Sequence, residues 1–308
     1  MTAGRKTILS LAAVSLFAVI GAAQWWGDDG DRHVHYTEGR VPVDEDTMST
    51  AREVASHSTE VPMWTNAAGF EKDAFTFCRV VFRSASGPGR RSRGTWITDF
   101  PDSDMNLSFR LQQMTSMKVS PEGCFLRLRN KDLSKYPWIY MVEPGRLVLD
   151  DEEVKILRGY LRNGGFLMAD DFWGDLQWEN FAREMKKIFP EREFVELPME
   201  HPVFHSVFDI RVPKQKLQTP NLYQAMRSLE PGPYSEITWE PQNGAGSKEM
   251  HVRAILDDKG RIMVIATHNC DNGDGWEREG QDDGFFREFS EKRAFPLGIN
   301  IIFYAMTH

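Results

Sequence analysis

The chain of 308 residues carries three cysteines, Cys78, Cys124 and Cys270. So few thiols exclude a disulfide scaffold, and the odd number leaves at least one free in a monomer. One bridge could form in an oxidising compartment, but the spacing does not say between which two. No Cys-x-x-Cys occurs, which removes the redox-motif and zinc-finger readings. Gly-x-Ser-x-Gly is absent too, so no serine nucleophile elbow is written in the sequence. Positive charge is also scarce: 37 Lys and Arg stand against 45 Asp and Glu, a net charge of -8. The short basic run Arg90-Arg91-Ser92-Arg93 sits in a Gly/Ser/Pro stretch and reads as solvated loop. Nucleic acid is therefore not an expected partner.

What is present begins with Arg5-Lys6, an apolar run from Ile8 to Ile20, and the small residues Gly21-Ala22-Ala23. That order reads as a secretory signal cleaved after Ala23, or as an N-terminal anchor (residues 1–23). The run is short for a spanning helix, which needs about 20 apolar residues. An exported protein, periplasmic or anchored facing outward, is the expectation. Membrane contact would then be confined to this segment. Residues 24–70 are polar and weakly periodic, as in a linker or loosely packed arm. Residues 71–308 read as a single α/β domain.

Within that domain, strand and helix signals alternate. Phe75–Arg83, Cys124–Arg129 and Tyr136–Val142 read as strands, as do Phe166–Asp170 and Arg192–Leu197. Leu107, Leu111, Met114 and Met117 fall on one face of a helix. Asp150 and Glu153 make a capping box ahead of a helix that Asn163-Gly164 ends. A further helix runs from Trp178 to Pro190. A late hairpin turns at Asp257–Gly260, and Arg293–His308 reads as a final helix. This order demands a mostly parallel sheet with helices on both faces.

In such sheets ligands bind beyond the carboxyl ends of the strands. Glu143 closes one strand, Asp170 and Asp171 the next, and His268-Asn269 the hairpin strand, followed by Asp271 and Trp276. Glu143, Asp170, Asp171, His201 and His268 could ligate a divalent cation. Asp170 or Asp171 could instead pair with His268 as general acid and base. Against both stands a structural role, since Asp after a strand caps helices and shapes turns. No cofactor is expected beyond such a cation. The patch Asp99, Asp102, Asp104 and Asn106 reads as solvated loop in preference to a cation or sugar site.

The series RGTWITDFPDSDMN, YPWIYMVEPG, LRNGGFLMADDFWGD, FPEREFVELPMEHPVFH and NCDNGDGWE resembles the bacterial domain of unknown function 4159, over roughly residues 75–307. More widely, YLRNGGFLMADD, HPVF and GRIMVIATHN are similar to class I glutamine-amidotransferase-like domains of the trehalose-utilisation type. His201 matches that group's His-Pro and His268 its late histidine, with Thr267 in place of glycine. The resemblance implies a flavodoxin-like sheet. It also implies that amidotransferase activity is absent, because Ala169-Asp170-Asp171 stands where the nucleophilic cysteine belongs. The expected function is binding of a small polar ligand, a sugar or cation, or of an envelope protein. Glu143, Asp170, Asp171, Trp173, His201, His268, Asn269, Asp271 and Trp276 are the candidate contacts. A hydrolase using Asp170 or Asp171 with His268 is the alternative, and a structural scaffold of an envelope complex the third.

Overall fold

Strand residues in this chain alternate between two apolar faces, and the architecture follows from that. In the computed structural model, which describes residues 33–58, 60–69, 73–85 and 95–308, Ile139, Met141, Leu167 and Ala169 enter one core cluster. Their neighbours Trp138, Tyr140, Phe166 and Met168 enter the other. A strand buried on both sides must be covered by helices on both sides. The N-terminal segment 1–23, the start of the polar arm and the basic run 90–93 lie outside the described residues. His33–His308 forms one compact unit.

The hairpin β1 (Val34–Tyr36) and β2 (Pro42–Asp44) precedes β3 (Cys78–Val81) and β4 (Arg83–Ser84). Helix α1 (Asp102–Met114), β5 (Cys124–Arg127), β6 (Trp138–Val142) and β7 (Leu147–Val148) follow. Next come α2 (Asp151–Arg162), β8 (Phe166–Asp170), α3 (Gly174–Ile188), β9 (Val195–Glu196) and α4 (Leu222–Leu229). The chain closes with β10 (His251–Leu256), β11 (Ile262–His268), α5 (Asn272–Glu277) and α6 (Phe295–Thr307). The seven-stranded sheet has the order β5-β3-β6-β8-β11-β10-β9. Its five parallel strands thus lie in the sequence order 2-1-3-4-5, the flavodoxin arrangement. The late hairpin β10–β11 pairs His251 with His268, and β9 extends the edge. Among the described residues, no helix is long and apolar enough to cross a membrane.

Local chemistry sets the element ends. Asp150 accepts hydrogen bonds from the Glu152 and Glu153 amides, and the Glu153 carboxylate returns one to the Asp150 amide, completing the capping box. Leu157 and Leu161 of α2 and Phe181, Met185 and Ile188 of α3 are fully buried on one face. Each such side chain stabilises the fold by about 1.5–3 kcal/mol. The methionine stripe outruns its helix: α1 ends at Met114, which is exposed, while Leu107 and Leu111 are buried. Helix α3 begins at Gly174, ahead of the expected start, and the strand expected at 192–197 shrinks to two exposed residues. Within the stretch expected as a polar arm, Val43, Ala51 and Val54 are buried in the core, and Arg52 Nη2 bonds the Pro121 carbonyl at 2.8 Å.

The expectation of a solvated 99–106 loop is overturned: Asp99, Asp102, Asp104 and Asn106 are all buried. Asp102 accepts from Ser56 Oγ and the His57 amide, and Asp104 meets Arg79, a fully buried residue of β3. Its Nε sits 3.0 Å from Asp104 Oδ2, its Nη1 bonds the Trp96 and Thr98 carbonyls, and its Nη2 reaches Ser103 Oγ and Asp104. A buried guanidinium must find this many acceptors, and it draws the loop inward to do so. Asp104→Asn would leave that charge uncompensated and is expected to cost about 3–5 kcal/mol. Urea unfolding checks this, and a loss below about 1 kcal/mol would mean that the carbonyl acceptors suffice alone.

Candidate functional site

The strand order reverses between β3 and β6, where a flavodoxin-like sheet opens a crevice beyond its carboxyl ends. A pocket of about 670 Å³ lies there. Its lining comes from the segments that follow four parallel strands: Thr95, Thr98 and Asp99 after β3, Glu143 and Arg146 after β6, Asp171 and Trp173 after β8, and Asp271 and Asp274 after β11. Glu38 of the β1–β2 turn and Asn221, Tyr223, Glu240 and Asn243 complete it. Seven carboxylates thus face two guanidiniums, Arg146 and Arg278.

Three of those acids hold backbone conformations that non-glycine residues seldom adopt. Asp99 has φ 61°, Glu143 φ 47° and Asp171 φ 54°. Left-handed conformations of this kind cost about 1–3 kcal/mol each and persist where the surroundings enforce them. They turn successive strand ends toward one space. Asp99, Asp171 and Asp271 are buried, and one oxygen from each lies within 4.8 Å of the others. Asp171 takes the Trp173 indole N–H on Oδ1 at 2.9 Å, and Asp271 takes the Asp274 amide on Oδ1 at 2.7 Å. Asp99 Oδ2 has no hydrogen-bond partner although the residue is only 2% exposed. Gly273 is required beside it, since a Cβ there would stand 2.1 Å from that oxygen.

Burial, reinforced by the charges of Glu277, Asp274 and Glu38, pushes the Asp99 carboxyl well above its ordinary value. Burial with Glu143 and Asp99 does the same to Asp171, and burial with Asp171 and Asp274 to Asp271. Glu143 is pushed up to about 7 by burial and by Glu38 and Glu240. A second triad, Asp99, Asp274 and Glu277, already has a protein cation in Arg278. Arg278 Nε lies 3.1 Å from Asp274 and 2.8 Å from Glu277, and His57 Nε2 lies 2.8 Å from Glu277. The triad Asp99, Asp171 and Asp271 presents only oxygen atoms, the donor set of a hard cation such as Ca²⁺ or Mg²⁺.

The expected site residues divide. Glu143, Asp171, Trp173 and Asp271 line the pocket. Asp170 lies beneath it, fully buried, accepting from Tyr140 Oη, the Asn272 and Gly273 amides, Asn272 Nδ2 and Thr267 Oγ1. Asn269 is committed to the frame: its Oδ1 accepts the Gly174 amide, and its Nδ2 donates to the Gly246 and Glu249 carbonyls. His268 packs against Phe172 and Trp178 with Nε2 on the Gly174 carbonyl, and burial drops it to about 3. His201 caps a short 3-10 turn, accepting the Val203 amide, and lies beside Tyr304. Trp276 is fully buried with its indole N–H on the Ala294 carbonyl. Asp99 was visible in the sequence only as loop, and Glu38, Glu240, Asp274, Arg146 and Arg278 carried no signal, since none closes a recognisable strand.

The family model for a domain of unknown function, DUF4159, matches residues 83–306, and the chain belongs to that family. The match contains Asp99, Glu143, Asp171 and Asp271 but not Glu38 or His57. No curated protein matches the chain.

A carboxyl whose pKa is raised by folding stabilises the native state fully below its unfolded value, and that contribution is lost as pH rises through the folded value. Asp170 is raised to about 6, Glu143 to about 7 and Glu277 to about 9. Protein freed of metal by a chelator is therefore expected to melt at progressively lower temperature from about pH 5 to about pH 9. A melting series in chelator checks this. A flat or rising profile would mean that the acids are compensated without any ligand.

Proposed function

We propose that this chain binds a hard divalent cation between Asp99, Asp171 and Asp271 and, through that cation and the pocket walls, a small polar ligand such as a sugar. The reading rests chiefly on Asp99, a buried acid whose Oδ2 has no donor and which brings one oxygen within 4.8 Å of oxygens of Asp171 and Asp271. Oxygens bound to one Ca²⁺ at about 2.4 Å lie no farther apart than roughly 4.8 Å. Around them, Asn221, Gln242 and Asn243 offer amide groups and Arg146 a guanidinium for hydroxyls. Tyr223, 71% exposed, offers the aromatic face that the buried Trp173 does not. Export of the chain, suggested by its N-terminal segment, would bring the site to a compartment where Ca²⁺ sites of about 0.1–1 mM affinity function.

A kinship with glutamine-amidotransferase-like folds is part of this proposal. Asp171 occupies a left-handed turn between a strand and a helix, the corner where such enzymes carry a nucleophile. A carboxylate there, with Cys270 buried against Thr219 and Leu217, favours binding over amide hydrolysis. The hydrolase alternative loses support because His268 is turned away from the pocket lining toward the Gly174 carbonyl.

Calorimetry and thermal shift on chelator-treated protein with CaCl₂ or MgCl₂ test the reading, followed by a sugar panel with the cation present. Either salt is expected to raise the melting temperature of the unmodified protein. At 100 times Kd the gain is about 2.7 kcal/mol. Asp99→Asn and Asp171→Asn should abolish the shift while melting no lower than the parent in chelator, because each removes a buried charge that lacks compensation. No shift with either cation at about 10 mM, well above the affinities of extracellular sites, would overturn it. A structural scaffold would then be the better reading.

A further inference from the structure

We propose that Cys78 and Cys124 close a disulfide when the chain folds in an oxidising compartment, leaving Cys270 as the free thiol. The two residues are direct partners in register on the neighbouring parallel strands β3 and β5. Both are buried, and their sulfur atoms lie 2.8 Å apart. Partners on adjacent strands stand about 4.8 Å apart, inside the Cα range of roughly 4.4–6.8 Å that a disulfide spans. Closing the sulfurs to about 2.05 Å needs a shift of less than 1 Å. Cys270 follows β11, on the far side of β6 and β8, where its sulfur lies near the Thr219 amide and the Leu217 carbonyl.

The position gives the bond a use. Among the described residues, β5 is the outermost strand of the sheet on that side and pairs with β3 alone. The covalent link would close the segment from 78 to 124, which contains Arg79, the loop bearing Asp99 and all of α1. Constraining that segment stabilises the fold by restricting the unfolded chain. The link rests on strand geometry alone and stands or falls apart from the cation site.

The chemistry balances with a small-molecule disulfide such as oxidised glutathione as oxidant. One cysteine thiolate attacks that disulfide, releasing one glutathione thiolate and forming a mixed disulfide. The second cysteine thiolate then attacks the protein sulfur of the mixed disulfide and expels the other glutathione. Two protein thiols are oxidised, one glutathione disulfide is reduced to two thiols, and the two protons pass to those products. Burial pushes the Cys78 thiol well up, so the exchange belongs to folding, before β3 and β5 are sealed together.

The test is to refold the full chain with oxidised and reduced glutathione, denature it, alkylate without reduction and measure the mass. The expected result is one alkylated site, at Cys270, with a mass about 2 Da below that of the reduced chain carrying a single alkyl group, and a cross-linked peptide pair carrying Cys78 and Cys124. Cys270→Ser should then show no alkylation. Reduction should lower the melting temperature by roughly 5–10 °C. Three alkylated thiols on a folded chain, or any bridge that includes Cys270, would overturn the proposal.

Discussion

The buried guanidinium of Arg79 is the constraint on which the pocket depends. Nothing apolar can satisfy its N–H groups, so the segment after β3 must fold back to bring Trp96, Thr98, Ser103 and Asp104 to it. Asp99 lies inside that segment and is carried to the end of the sheet as a consequence. The planar cation also sits over Phe100 and Tyr140, at 5.4 and 5.2 Å. Tyr140 in turn donates to Asp170, and Asp170 receives the first amides of α5. One chain of contacts thus joins β3, β6, β8 and the helix that carries Asp274 and Glu277. Desolvating such a charge is costly, and excellent acceptor geometry is what makes it tolerable.

That frame is then used to hold an unfavourable arrangement. Four of the chain's described non-glycine residues with positive φ are Asp99, Glu143, Asp171 and Asn269, all at the carboxyl edge of the sheet. Like charges converge there in a buried space, which raises the proton affinity of each. On one side of the crevice the protein supplies its own compensation through Arg278. On the other side it supplies a hydrogen bond to one oxygen of Asp171 and to one of Asp271. Strain and like charge are thus gathered at one edge of the sheet.

The sheet was legible because its signals are local. Two-sided apolar strands, a capping box at Asp150 and Glu153, and a turn at Asp257–Gly260 each need only a few neighbouring residues to be recognised. Elements whose fate depends on remote partners were not. Val195 and Glu196 lie at an edge, so strand propensity alone overstated their length. Asp102 and Asp104 looked solvated because their partners lie far off in the sequence, Ser56 and His57 for Asp102 and Arg79 for Asp104. At the site, acids that end strands could be found from the strand pattern. His268 also ends a strand, yet side chains alternate across a sheet, and its ring falls on the Trp178 side. Glu38 and Glu240 reach the pocket from the N-terminal hairpin and from a region of short turns, where sequence periodicity carries no information.

The same alternation explains the adjacent pair Asp170-Asp171. Asp170 is the last residue of β8, still in register with Val142 and Thr267, and its side chain is committed to the layer beneath the crevice. There it gathers hydrogen bonds from Tyr140, Thr267 and the start of α5, which hold its pKa at about 6 despite complete burial. Asp171 has left the ladder. Its amide bonds the Cys270 carbonyl, its φ becomes positive, and its carboxylate is delivered into the crevice. Asp170 fastens the strand to the start of α5, and Asp171 faces the crevice. A single acid could not do both, because the hydrogen bonds that satisfy Asp170 occupy both of its oxygens. Two carboxylates side by side at a buried strand end are thus a division of labour imposed by the pleat.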